Sequence, residues 1–212
     1  MKSKRIQNQK EEFYNALTHV LGIAFCLLAM PFLLYKTYQK LDITLFISVF
    51  IFGFGMLLVY TFSSLYHAVK TERAKDLLQI GDHISIYFLI AGTYTPLMVR
   101  YLNTQTAMLF LAVMWTIVAI GVVFKLFFTK RFKLFSVLLY LALGWMIVFV
   151  IEPLSISMPF VVFKWILIGG ISYSLGVYFY IKDDRPYFHS IWHLFVLFGT
   201  VAHYVAVYLS LA

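Results

Sequence analysis

The chain has 212 residues, 62% of them hydrophobic and only 12% charged, with a formal net charge of +8. Soluble globular domains carry about 45–50% apolar and about 25% charged residues, so an ordinary water-soluble enzyme is excluded: a domain of this size lacks the interior to hide that much apolar surface. Eleven glycines, five prolines and the single Cys26 exclude collagen-like repeats and disulfide scaffolds, leaving an integral membrane protein.

A transmembrane helix needs roughly 20 mostly apolar residues. Seven such stretches follow in chain order: Ala16–Tyr35, Ile43–Tyr66, Ile84–Val99, Thr106–Phe124, Leu134–Ile151, Phe160–Ile181 and Phe188–Leu211. The runs are continuous, without period-two alternation, which predicts helices rather than barrel strands. The fold class is therefore an all-α seven-helix bundle, with a tail over 1–15 and one membrane domain over 16–212. The third span is the shortest unless Gly81, Asp82 and His83 belong to its first turn. Polar joints separate the spans at Lys36–Asp42, Lys70–Ile80, Arg100–Gln105, Lys125–Lys133, Glu152–Pro159 and Lys182–Pro186. The first apolar run is of full span length and follows a polar segment, unlike a cleavable signal.

Positive residues set the orientation. The tail (Lys2, Lys4, Arg5, Lys10), the second joint (Lys70, Arg73, Lys75), the fourth (Lys125, Lys130, Arg131, Lys133) and the sixth (Lys182, Arg185) hold 13 of the 17 basic residues on one side. This predicts a cytoplasmic N-terminus, an outside C-terminus and a multi-pass protein of the cell membrane. The basic excess is thus a topology signal, and nucleic acid is not an expected partner.

Ionisable side chains at membrane depth are costly and mark functional sites. Here His67 ends the second span, Asp82 and His83 begin the third, and His189 and His193 fall in the first turns of the seventh. His19 lies early in the first, behind Glu12 and Asn15. His189 and His193, spaced i and i+4, share a helical face, as two ligands of one metal ion would. Ser63 and His67 repeat that spacing, and a short joint brings Asp82 close to them. Three histidines with one open position form a catalytic type of zinc site. Asp82 is expected to hold or deprotonate a water there, or to orient a histidine, with Ser63 bonding the water or a substrate oxygen. Structural roles compete for the others. His203, about 15 Å along the seventh helix from His193, reads as an interhelical hydrogen-bonding group. Glu12 and Asn15 suit capping of the first helix, Ser63 and Ser64 bonding to their own helix, and Asp183, Asp184 and Pro186 the start of the seventh.

The segments Glu12–His19 (EFYNALTH), Ser63–His67 (SxxxH), Asp82 and His189–His193 (HxxxH), in that order over essentially the whole chain, resemble the hemolysin III family. That family is the bacterial branch of the progestin and adipoQ receptor family and is similar to alkaline ceramidases. The resemblance implies zinc held by His67, His189 and His193, with Asp82 and Ser63 acting on the bound water and Glu12, Asn15 and His19 in support. Eukaryotic relatives are associated with ceramide hydrolysis, bacterial members with hemolysis and membrane fluidity. The expected function is a zinc-dependent intramembrane hydrolase of a lipid amide or ester, with membrane lipids as substrate or ligand. A pore-forming cytolysin and a sensor with structural zinc are the alternatives. A retinal photoreceptor is disfavoured because the seventh span has no lysine.

Overall fold

The computed structural model describes residues 7–129 and 131–212; Lys2, Lys4, Arg5 and Lys130, used above for topology, and the first six residues of the expected tail lie outside these. The described chain is helical, with no strand: α1 Gln9–Tyr38, α2 Ile43–Ala68, α3 Glu72–Tyr101, α4 Thr104–Phe128, α5 Lys133–Gly144, a 3-10 turn Met146–Val150, α6 Ile151–Ser157, α7 Phe160–Ile181 and α8 Phe188–Ser210. Among the described residues, six helical segments are long and apolar enough to cross a membrane: α1, α2, α4, Lys133–Ser157, α7 and α8.

The surface is that of a protein solvated by lipid. Leu28, Phe127, Phe149 and Ile156 are among many large apolar side chains turned outward, while Asn15, His19, His67, Lys125 and His193 are buried. With no water in the bilayer core, polar groups find partners inside the bundle. This is a multi-pass membrane protein.

Two joints and one span differ from the sequence reading. The segment expected as a Lys70–Ile80 joint is mostly helix, since α2 ends at Ala68 and α3 starts at Glu72. The run Glu72–Gln79 (ERAKDLLQ) is built of strong helix formers, so its charges ride on solvated helical turns. Asp82 and His83 consequently sit in the third turn of α3 instead of opening it. At the fourth joint, α4 runs on to Phe128 and takes in Lys125. The fifth apolar stretch is broken: α5 stops at Gly144 and the 3-10 turn follows, with Tyr94 filling the gap. The Tyr94 hydroxyl donates to the Gly144 carbonyl at 2.6 Å and accepts the Ile147 N–H at 3.0 Å. Irregular backbone at such depth is tolerated where protein or a cavity covers it.

Close approach of α2 and α3 fixes the centre of the bundle. A Cβ on Gly55 would lie 2.6 Å from the Phe88 carbonyl oxygen, and one on Gly92 3.1 Å from that of Ile51. Small residues at these crossings let backbones touch, which places Ser63 and His67 of α2 beside Asp82 of α3. The chain ends also meet, with α8 packed on both α7 and α1.

Candidate metal centre

The site begins with the register of α1 and α8. Asn8 caps α1 through a capping box: its Oδ1 accepts the Glu11 N–H at 2.9 Å, while Glu11 Oε2 accepts the Asn8 N–H at 3.0 Å. The other Glu11 oxygen accepts the N–H of Tyr187 at 2.9 Å. Tyr187 has φ 62° and no side-chain cap of its own. One buried carboxylate thus satisfies orphan donors at the starts of two helices. The cap of α1 is thus Asn8 with Glu11, Glu12 lies in the first turn where an acidic group matches the helix start, Asn15 lies deeper, and α8 starts beyond Asp183, Asp184 and Pro186. Asp183 instead pairs with Lys133 at 2.9 Å.

With that register, His67 of α2 meets His189 and His193 of α8. One nitrogen from each ring lies within 4.8 Å of the other two, and the ring centroids are 4.6–5.1 Å apart. Each outer nitrogen that a neighbour engages leaves the other to point inward. His67 Nδ1 lies 2.6 Å from Glu12 Oε2 and donates to it; Lys75 pairs with the other Glu12 oxygen. His193 Nδ1 lies 3.1 Å from the Asn15 carbonyl, which can only accept, and 3.1 Å from Thr18 Oγ1. The Asn15 side chain accepts from Ser190 and donates to Gln7. Both imidazoles are held as Nδ1–H tautomers, so Nε2 carries the lone pair a metal requires.

The donor set fits a metal. His67 Nε2 is buried with no hydrogen-bond partner among the described residues, a cost that an ion would relieve. Zn–N bonds of about 2.0–2.1 Å at tetrahedral angles put nitrogens about 3.3 Å apart, so the three rings would close in by roughly 1–1.5 Å. Three imidazoles, with no fourth protein ligand in the set among the described residues, match an open site.

The remaining expected residues surround this set without joining it. Asp82 lines the adjoining cavity, close enough to His67, Ser63 and Lys125 to interact with each. The carboxylate bonded to one of the three clustered histidines is Glu12. The His19 ring centroid is 3.7 Å from that of His193 and 5.2 Å from that of Tyr60. Neither His19 nitrogen has a hydrogen-bond partner among the described residues. His203 Nε2 lies 3.1 Å from the Ile166 carbonyl, the interhelical bond expected of it. His83 reaches Tyr180, at 3.4 Å. A cavity of about 630 Å³ runs from Lys75, Asp76 and Asp183 at one end, past Asp82, His189 and His193, to Thr93, Trp145 and His203 at the other.

Three families of contact escaped the sequence reading. Asn8 and Glu11 carried a legible signal, the polar–x–x–Glu capping pattern. Lys125 carried another: the buried positions Phe110, Met114, Val118 and Gly121 extend to it at helical spacing. Thr18 and Ser190 had none, because hydroxyls bonding to helices or across them look alike in sequence.

The family described as Haemolysin-III related matches residues 7–204 of the chain. The chain belongs to that family. It is 40% identical over 198 residues to the Hemolysin-3 homolog of Bacillus subtilis (strain 168), covering 93% of each chain. It is 36% identical over 205 residues to Hemolysin-3 of Bacillus cereus, covering 97% of this chain and 94% of that one. A human protein, Monocyte to macrophage differentiation factor, is 27% identical over 169 residues, 76% of this chain and 69% of its own. Membership agrees with the resemblance drawn from Glu12–His19, Ser63–His67, Asp82 and His189–His193, and three of the four histidines in those motifs, His67, His189 and His193, come within reach of one ion in the fold.

Proposed function

We propose that this haemolysin-III-related protein is a zinc-dependent hydrolase of the bilayer that cuts an amide or ester in a membrane lipid. Its seven spans, with α3 as the third, have the N-terminus in the cytoplasm, C-terminus outside. The observation that carries the reading is the three-imidazole set, two of its tautomers fixed by Glu12 and Asn15, opening onto an amphipathic cavity. His67, His189 and His193 would hold the ion. When bound, zinc polarises a carbonyl and makes water nucleophilic at neutral pH.

The chain's own residues supply the rest. Ile86, Leu89, Ile90 and Val196 offer apolar wall to an acyl chain, and polar groups at the mouth meet a headgroup. Asp82 takes up the proton of the attacking water at a carboxylate oxygen, held in place by the Ser63 hydroxyl. Water oxygen bonds to the acyl carbon, the C–N or C–O bond breaks, and the Asp82 proton passes to the departing nitrogen or oxygen.

The test uses full-length protein purified in detergent. Elemental analysis should find about one zinc per chain, lost in His67→Ala and His193→Ala. Labelled ceramides and acyl glycerophospholipids should be cleaved by wild type alone. Activity that survives chelation, or normal turnover by His193→Ala, overturns the reading. A second reading, membrane permeabilisation, draws on the printed name of the Bacillus cereus relative. Dye release from vesicles that the histidine variants leave unchanged would favour it.

A further inference from the structure

Lys125 has no part in the centre just described. It lies in α4, 1% exposed, yet lines the cavity together with Asp82. Its ammonium sits 5.9 Å from the Tyr140 ring centroid. It forms no hydrogen bond, and no carboxylate oxygen lies within 4 Å of it, among the described residues. An ammonium offers three donors, and burying it in a bundle without acceptors is costly. The other lysines of the cavity are tied up: Lys75 pairs with Glu12 and Lys133 with Asp183. Asp82 lines the same cavity and attracts Lys125 without closing an ion pair on it. Asp82 interacts with His67 as well, so the carboxylate is shared between an imidazole and the ammonium.

Resting on the lipid-hydrolase reading above, we infer that Lys125 is the headgroup-binding residue of the cavity, taking a phosphate oxygen of an acyl phospholipid whose acyl linkage lies toward the histidines. A phosphate supplies acceptors for all three ammonium protons, and charge-assisted bonds of this kind are the strong ones. Asp82, which attracts the ammonium, competes for the lysine. Discrimination follows: a lipid with the same acyl chains but no phosphate gains nothing from Lys125.

The experiment is a binding titration of the full-length protein in a neutral detergent, read by native mass spectrometry. Dioctanoyl phosphatidylglycerol and dioctanoylglycerol are the probes, and inorganic phosphate serves as competitor. Wild type should prefer the phospholipid; Lys125→Met should bind it about tenfold more weakly with diacylglycerol unaffected; Lys125→Arg should retain the preference. Asp82→Asn should tighten phospholipid binding by freeing the ammonium, an arm that decides the matter even if Lys125→Met is unstable. Equal affinity for the two lipids in wild type, a parallel loss of both in Lys125→Met, or weaker phospholipid binding in Asp82→Asn overturns the inference. Competition by inorganic phosphate alone at low millimolar concentration, without lipid preference, shows a free-anion site and overturns the lipid assignment. Binding that follows this pattern while no lipid is hydrolysed refutes the hydrolase reading and leaves the headgroup site standing.

Discussion

Glu12→Gln isolates what one carboxylate does for the metal centre. Glu12 accepts from His67 Nδ1 at 2.6 Å through one oxygen and from Lys75 through the other. Glutamine has almost the same shape, but only one of its two terminal atoms accepts. If its oxygen turns to His67, its amide nitrogen confronts the Lys75 ammonium; if it turns to Lys75, it presents hydrogens to His67 Nδ1–H. Either way a charge-assisted bond becomes a neutral one or a donor–donor clash. Removing an outer partner of a metal-bound histidine costs about 10–100-fold in metal affinity, or roughly 1.4–2.8 kcal/mol at about 1.4 kcal/mol per tenfold. Zinc affinity, measured by competition against a chromophoric chelator, should fall within that range. Lys75→Met provides the control, because it leaves the Glu12–His67 bond in place and should cost less than threefold. An unchanged affinity in Glu12→Gln, or an equal loss in Lys75→Met, would refute the argument that Glu12 acts through His67.

Three further outcomes are expected. Glu11→Gln should destabilise the protein by about 1.5–3 kcal/mol, the range for bonds to a charged group, since it weakens the backbone bonds at the starts of α1 and α8; thermal unfolding in detergent reads this, and zinc release should precede global unfolding. Gly55→Ala should cost about 1–3 kcal/mol, because its Cβ would stand 2.6 Å from the Phe88 carbonyl oxygen; the same assay applies, and an unchanged midpoint would refute it. Tyr94→Phe strips the hydroxyl from Gly144 and Ile147, leaving a buried donor and acceptor unmet at about 1–3 kcal/mol each; faster amide exchange confined to Leu143–Val150 is the signature.

Apolar runs, the joints at Arg100–Gln105 and Lys182–Pro186, and the meeting of His67 with His189 and His193 were legible because each depends on local periodicity and span length. Glu72–Gln79 was misread because charge reports contact with water, not loss of helix, and a helix that projects past the apolar slab has both. Lys125 was misread for the related reason that one lysine near a span end serves equally as a topology marker or a buried ammonium. The break after Gly144 was hidden because its backbone partner, Tyr94, lies fifty residues away in sequence. Glu12, expected at the start of α1 and in support of the histidines, lies in the first turn and bonds His67, while the cap itself is built by Asn8 and Glu11.

The centre draws on the two extremes of the polypeptide. Glu12, Asn15 and Thr18 enter with the first helix and His67 with the second, whereas Ser190, His189 and His193 arrive with the last. During synthesis, then, the Glu12–His67 pair waits as a half-built receptor through five intervening helical segments, one nitrogen already oriented and nothing opposite it. Only when α8 inserts against α1 does Glu11 seize the Tyr187 N–H and the three imidazoles come into reach of one another. The three imidazoles therefore come within reach of one another only once α8 is in place, and a chain that stalls or is clipped before Phe188 lacks two of the three.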